Sequence, residues 1–322
     1  MRFWQFGRCA AAICAGGALT AGCDAPPPIR IAPAVVAGRA SSRQDLVYAA
    51  ASAGNAIYVF SYPAGKLVKT IRPPKGTVSL QGLCSDNNGN VYVTALAAAG
   101  SGSSDDGMLY EYKRGAGTPE KTFKLDGVRP FGCAVDPTTG DLAFATTSLG
   151  VTAGYVDIQA PDGSGKIYYD YNISNYYYCD FDGSGNLFVD GQGDGTEMYL
   201  AEIKKGSTGY PTNLTLSKSI SLSGMGQIQW DGTDITLEDL TSGAIDRLEI
   251  DGTRANIVGT TRLAKWYDAT LSWINGATVL VPTGSDQTQV GVWNYPQGGK
   301  AVQTIAAPSS IFSVTLSAVS QR

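Results

Sequence analysis

"CDFDGSGNLFVDGQGDGTE", residues 179–197, decides how the chain is read. Asp180, Asp182 and Ser184 alternate ahead of Gly185, as ligands do in the first half of a calcium loop. Such a loop gathers about six to eight oxygens and closes on a bidentate acid at its twelfth position. Gly191 occupies that position, with Asp190 one place early. A second register, begun at Asp190, puts Ala201 where the acid belongs. The alternative is a tight turn, in which Asp182 accepts from backbone amides two residues on.

The same pattern recurs along the chain. "LCSDNNGNVYVTAL" starts at Leu83, "CAVDPTTGDLAFATT" at Cys133, "IQWDGTDITLEDL" at Ile228 and "SWINGATVLVPTG" at Ser272. Each is a short apolar run, an Asp or Asn, a glycine-containing turn and a β-branched or aromatic run, which is a hairpin signature. The anchors Asp86, Asp136, Asp182, Asp231 and Asn275 stand 44–50 residues apart. That period matches four-stranded propeller blades.

Two more strand-like runs follow each hairpin, such as "MLYEYKR" and "EKTFKL", or "MYLAEIKK" and "SKSISL". In the last repeat they form "QVGVWNYPQGGKAVQTI", residues 289–305, whose near-copy "AIYVFSYPAGKLVKTI" lies at residues 56–71. The N-terminal copy lacks an innermost strand, and "IFSVTLSAV", residues 311–319, is an innermost strand without outer partners. Joining them leaves no long unpaired edge. The expected fold is therefore all-β: a six-bladed propeller of four-stranded antiparallel blades, closed by pairing the C-terminal strand with the N-terminal strands.

The blades resemble NHL-repeat and gluconolactonase-like (senescence-marker-type) six-bladed propellers, through "GLCSDNNGNVYV" and "GCAVDPTTGDLAF". The resemblance spans residues 45–322 and reports blade construction. It implies, as one activity, a divalent-metal-dependent hydrolase or lactonase using Asp190, Glu238 or Asp239. No counterpart of that group's metal-binding Asn-Gly-Leu segment occurs, and "APDG" at 160–163 falls elsewhere in its blade. The chain contains no histidine, which excludes Ser–His–Asp triads, imidazole-held metals and the Gly-His dipeptide of WD repeats.

Ahead of the propeller, "MRFWQFGRCAAAICAGGALTAGC" has arginines, a short apolar stretch and small residues, the layout of a secretory signal. Its "LTAGC" resembles a bacterial lipobox, which implies residues 1–23 as a lipoprotein signal with the lipid on Cys23. Residues 24–44, beginning "DAPPPIRIAP", read as a flexible tether reaching up to about 60 Å at ~3.1 Å per residue. The expected address is the cell envelope, on the periplasmic or outer face of a membrane.

Forty glycines and seventeen tyrosines suit a turn-rich β protein. With 16% charged residues and a net charge of −4, the chain has no basic stripe, so nucleic acid is not an expected partner. No cofactor is expected; a weakly held Ca²⁺ is the one ion the acids would suit. The chain is expected to be a monomer. Cys84, Cys133 and Cys179 fall on successive innermost strands, and an odd count leaves one unpaired; a Cys133–Cys179 bridge is one arrangement.

Function is expected on the loops around the channel mouth, where a rigid scaffold positions side chains. Segments entering the innermost strands supply Gln81, Arg129, Phe131, Tyr176 and Tyr177, then Trp266, Tyr267 and Asp268. Second-strand ends supply Asp190, Glu238 and Asp239. Aromatic rings beside carboxylates suit a saccharide, peptide or protein ligand, so a non-catalytic binding or scaffold module is the expected function.

Overall fold

Asp182 is a turn former: its Oδ1 accepts the N–H groups of Ser184 and Asn186, both at 2.8 Å. Asp86 does the same for Asn88 and Asn90, at 2.9 and 2.8 Å. Asp136 takes the amide of Thr138, and Asp231 those of Thr233 and Asp234. Gly89 and Gly185 complete two of these turns at φ of 78° and 85°, a region that disfavours residues with a Cβ. Four of the five repeats therefore rest on one local device, a carboxylate closing a hairpin; at Asn275 the hydroxyl of Thr278 bonds the backbone carbonyl instead.

The computed structural model describes residues 44–51, 55–98, 106–149, 153–195, 197–217, 226–240, 242–264 and 271–318. Among the described residues there is no helix. The strands form five sheets. The first joins β1 (Asp45–Ala51), β2 (Ile57–Tyr62) and β3 (Leu67–Ile71) to the last strand, β24 (Ile311–Ser317), in the order β24-β1-β2-β3. The second is β4 (Thr77–Ser85), β5 (Val91–Ala97), β6 (Asp106–Tyr112) and β7 (Lys121–Leu125). The third is β8 (Val128–Val135), β9 (Leu142–Ser148), β10 (Val156–Gln159) and β11 (Gly165–Tyr168).

The next two expected blades are one sheet. β12 (Asn175–Phe181), β13 (Leu187–Gln192), β14 (Met198–Ile203) and β15 (Thr212–Leu216) form one meander. β16 (Ile228–Trp230), β17 (Ile235–Asp239), β18 (Ala244–Asp251) and β19 (Arg254–Arg262) form the other. β15 and β19 pair in parallel, Thr215 and Leu216 opposite Arg254 and Ala255, giving eight strands where two separate sets of four were expected. Each outer strand thereby covers the other's open edge. The fifth sheet is β20 (Trp273–Asn275), β21 (Thr278–Thr283), β22 (Gln289–Asn294) and β23 (Gln303–Ala306). The fourth strand expected at "SKSISL" is instead β15, just upstream; most of that segment lies outside the described residues.

The chain ends meet as expected. β24 runs antiparallel to β1, with Leu46 opposite Ser317 and Ala50 opposite Ser313. Six strands that end or begin a sheet, β24, β4, β8, β12, β16 and β20, touch one another in a closed series. Side chains serve the edges between them. Ser313 Oγ accepts from Leu83 N at 3.0 Å, and Ser85 Oγ donates to Leu316 O at 2.9 Å. Asp180 Oδ2 accepts from Trp230 N at 2.7 Å, while Gln229 bonds both the N–H and the carbonyl of Ile274. Buried backbone groups that no ladder reaches are satisfied in this way.

Apolar side chains fill the gaps between sheets because the period of a strand sends neighbours to opposite faces. Val91, Val93 and Ala95 pack with Tyr48, Ile57 and Ile71, whereas Tyr92 packs with Leu109, Leu142 and Phe144. The same alternation settles the cysteines. Cys84 and Cys133 meet on adjacent inner strands, with Cα atoms 5.7 Å apart, and form the disulfide. Cys179 is free and buried among Ala134, Ala145 and Phe181, so the Cys133–Cys179 arrangement is replaced by Cys84–Cys133.

Candidate functional site at the two ends of the channel

At the predicted mouth the inner strands bulge. The β4–β5 register shifts between Leu80 and Leu83, β8–β9 between Pro130 and Cys133, and β12–β13 between Tyr176 and Cys179. A bulge takes amides out of the ladder and re-aims side chains. Gly82 N donates to Thr94 Oγ1 at 2.7 Å, and Tyr178 N to Asp190 Oδ1 at 2.8 Å. Glu238 does the same across two elements: Oε2 accepts from Gln227 N and Oε1 from Ser272 N, both at 3.1 Å. A Cβ at Gly132 would stand 2.8 Å from Tyr178 Cα, so the neighbouring inner strands approach too closely for a larger residue there.

The bulges deliver an aromatic plug. Phe131 meets Tyr177 edge-on at 5.5 Å and Tyr178 at 6.5 Å, and Leu271 and Phe312 pack against them. Tyr177 donates its hydroxyl to Gln192 Oε1 at 3.0 Å. Asp190 and Glu238 are buried in the same region, each about 1% exposed. Burial pushes Asp190 well above the usual carboxylate range, the Tyr178 amide pulls back, and the charge of Glu238 adds to the rise. Burial likewise pushes Glu238 up to about 7 against the pull of Ser272 and Gln227. Among the described residues six buried side-chain polar atoms lack partners, and two of them, Asp190 Oδ2 and Arg129 Nε, belong to residues predicted for the mouth.

Of the other predicted residues, those described serve the fold. Tyr176 is a core residue: it is fully buried with Ile173, Val189 and Ala201, and its hydroxyl accepts from Asp170 N at 2.6 Å. Gln81 donates to Ser79 Oγ at 2.8 Å. Asp239 closes a turn on the amide and hydroxyl of Ser242. Trp266, Tyr267 and Asp268 lie outside the described residues. Asp190, Glu238 and Asp239 thus spend their oxygens differently, and no three His, Cys, Asp or Glu side chains that could hold a metal converge among the described residues.

The opposite end of the channel, unremarked in the sequence reading, holds a cavity of about 360 Å³. Ser85, Val135, Asp180, Trp230, Ile274 and Leu316 line it, one from each of the six inner strands. Asp180 keeps part of its surface in this cavity while accepting from Trp230 N and Phe181 N. Burial pushes its pKa up to about 7, and those two amides moderate the rise. The signal was present in the repeat: Ser85, Val135, Phe181, Trp230 and Ile274 each precede a turn anchor.

A larger groove, about 650 Å³, lies on the surface beside the Asp86 and Asp136 turns. Its buried Glu111 is matched by Lys113 and Lys121, both at 3.3 Å. The groove therefore presents both signs of charge, with Glu111 already paired.

The molecule has the β-propeller fold. It is similar to a protein of unknown function from Bacteroides caccae, at 12% identity over 85% of this chain and 99% of the other, with a TM-score of 0.60. The β-propeller domain of Cps50 (Swd1) from Myceliophteria thermophila matches at 10% identity over 82% and 84% of the two chains, TM-score 0.51. A functionally unknown protein from Desulfotomaculum acetoxidans matches at 12% identity over 83% and 84%, TM-score 0.51. No protein-family model matches the sequence, and no curated protein does.

Proposed function

We propose that this chain is a lipid-anchored envelope protein whose propeller, counted as six blades of the NHL-repeat or gluconolactonase-like type, binds a ligand and does not transform it. The closed series of six inner strands supports the blade count, with the eight-stranded sheet taken as two blades joined at their rims. The "LTAGC" segment supports the anchor.

One observation carries the binding reading. The aromatic cluster of Phe131, Tyr177 and Tyr178 stands at a mouth where Arg129 Nε and Asp190 Oδ2 are buried without partners. Buried polar atoms in folded proteins are nearly always bonded, so a ligand or water with complementary groups belongs there. A saccharide, peptide or protein segment supplies such groups. Glu238 gives both oxygens to backbone amides, which makes it a strut and leaves the carboxylates short of a catalytic arrangement.

Glycan and peptide arrays probed with the purified protein test this. A specific signal is expected, reduced about tenfold or more by Arg129→Ala and by Tyr177→Phe, each losing ~1.4 kcal/mol or more of binding. Circular dichroism should be unchanged in both variants. Binding untouched by either substitution would move the site elsewhere.

A further inference from the structure

The cavity at the opposite end differs from both the plugged mouth and the surface groove in its charge. Asp86 and Asp180 border it, as do Trp230 and Trp273, two aromatic residues that also pack against the core clusters on either side. No lysine or arginine lines it. The groove beside it holds Lys113 and Lys121, so the contrast is local and not a consequence of overall acidity.

We propose that this cavity binds a small organic cation, an ammonium group seated between the Asp180 carboxylate and the rings of Trp230 and Trp273. An anion would meet two acidic residues, Asp86 and Asp180, and no countercharge. A neutral hydroxylated ring would offer the Asp180 carboxylate hydrogen bonds but no countercharge, and a largely buried charge is costly unless paired. A cation satisfies both demands, and tryptophan is the side chain that attracts cations most strongly through its π face.

The site is also held in place. Asp180 is fixed by the amides of Trp230 and Phe181, each oxygen keeping a lone pair for a ligand. Gln229 locks Ile274 from both its N–H and its carbonyl, which sets β16 against β20 beside Trp273. A volume of about 360 Å³ admits a quaternary ammonium with a short substituent. This site is separate from the plugged mouth, and either can fail without the other.

The test is calorimetric titration of the full chain with tetramethylammonium chloride at fixed ionic strength, with tryptophan fluorescence read in parallel. Myo-inositol and sodium acetate serve as the neutral and anionic probes. Saturable binding of tetramethylammonium alone is expected, weakened roughly tenfold or more by Asp180→Asn and by Trp273→Leu. Tyr177→Phe, at the other mouth, should leave it unchanged. Should Asp180→Asn lose its fold by circular dichroism, Trp273→Leu decides the matter. Absence of saturation with tetramethylammonium, preference for inositol or acetate, or full binding in folded Trp273→Leu overturns the proposal.

Discussion

Glu238 holds two backbone amides that come from different segments of the chain, Gln227 and Ser272. Its enclosure raises the carboxyl from an ordinary 4.5 to about 7, so the folded protein keeps a proton that the unfolded chain gives up. Stability from this group is therefore unaffected below about pH 4.5 and falls as pH rises to about 7, by on the order of 3 kcal/mol in total. Asp180, also lifted to about 7 by burial, acts with the same sign. Thermal melts should accordingly show a falling melting temperature between pH 5 and pH 8, with a smaller slope in Glu238→Gln. An equal slope in that variant would assign the effect to other groups. Asp182 makes a simpler case. Asp182→Ala removes the acceptor for two amides and should cost about 1–2 kcal/mol in urea unfolding, with Ca²⁺ making no difference to wild type or variant. Residues of this kind were legible because turn chemistry is local. Tyr176 was not, because the bulge between Tyr176 and Cys179 changes which face each tyrosine takes, and a bulge leaves no mark in a run of three tyrosines.

At the level of strands, the repeat register located the hairpins, while the rims depended on packing that no single repeat encodes. "SKSISL" has the alternation of a strand, yet the fourth position is filled by β15, whose Thr215 and Leu216 find a parallel partner in β19. Cysteine pairing shows the same divide. Cys84, Cys133 and Cys179 occupy comparable places in successive repeats, but the first two share one intersheet layer and the third faces another. The Cys84–Cys133 bridge spans 49 residues and ties β4 to β8. Replacing both cysteines by alanine should lower the free energy of unfolding by about 4 kcal/mol on the chain-entropy account. Equilibrium unfolding in urea would measure it; a loss under about 1 kcal/mol would mean that neighbouring contacts already confine the loop. The far cavity went unread for a related reason. The positions before each turn anchor were visible in the repeat, but that they line one cavity appears only once β4, β8, β12, β16, β20 and β24 are packed against one another.

For the whole molecule, two claims reach from one end of the chain to the other. The proposed anchor predicts that Cys23→Ser shifts the protein from the membrane pellet to the soluble fraction, and that mass spectrometry finds acyl groups on Cys23 of the wild type. Recovery of unmodified Cys23 from membranes would contradict it. The second claim supports both ends of the channel, since the inner strands hold their positions only while β24 sits between β1 and β4. Hydrogen–deuterium exchange followed by mass spectrometry tests it most directly. The amides of Val47–Ala50 and of Ser313–Leu316 should exchange together, among the slowest in the protein and with the rate of global opening. Rapid exchange of residues 311–317, with the remaining sheets still protected, would contradict the account.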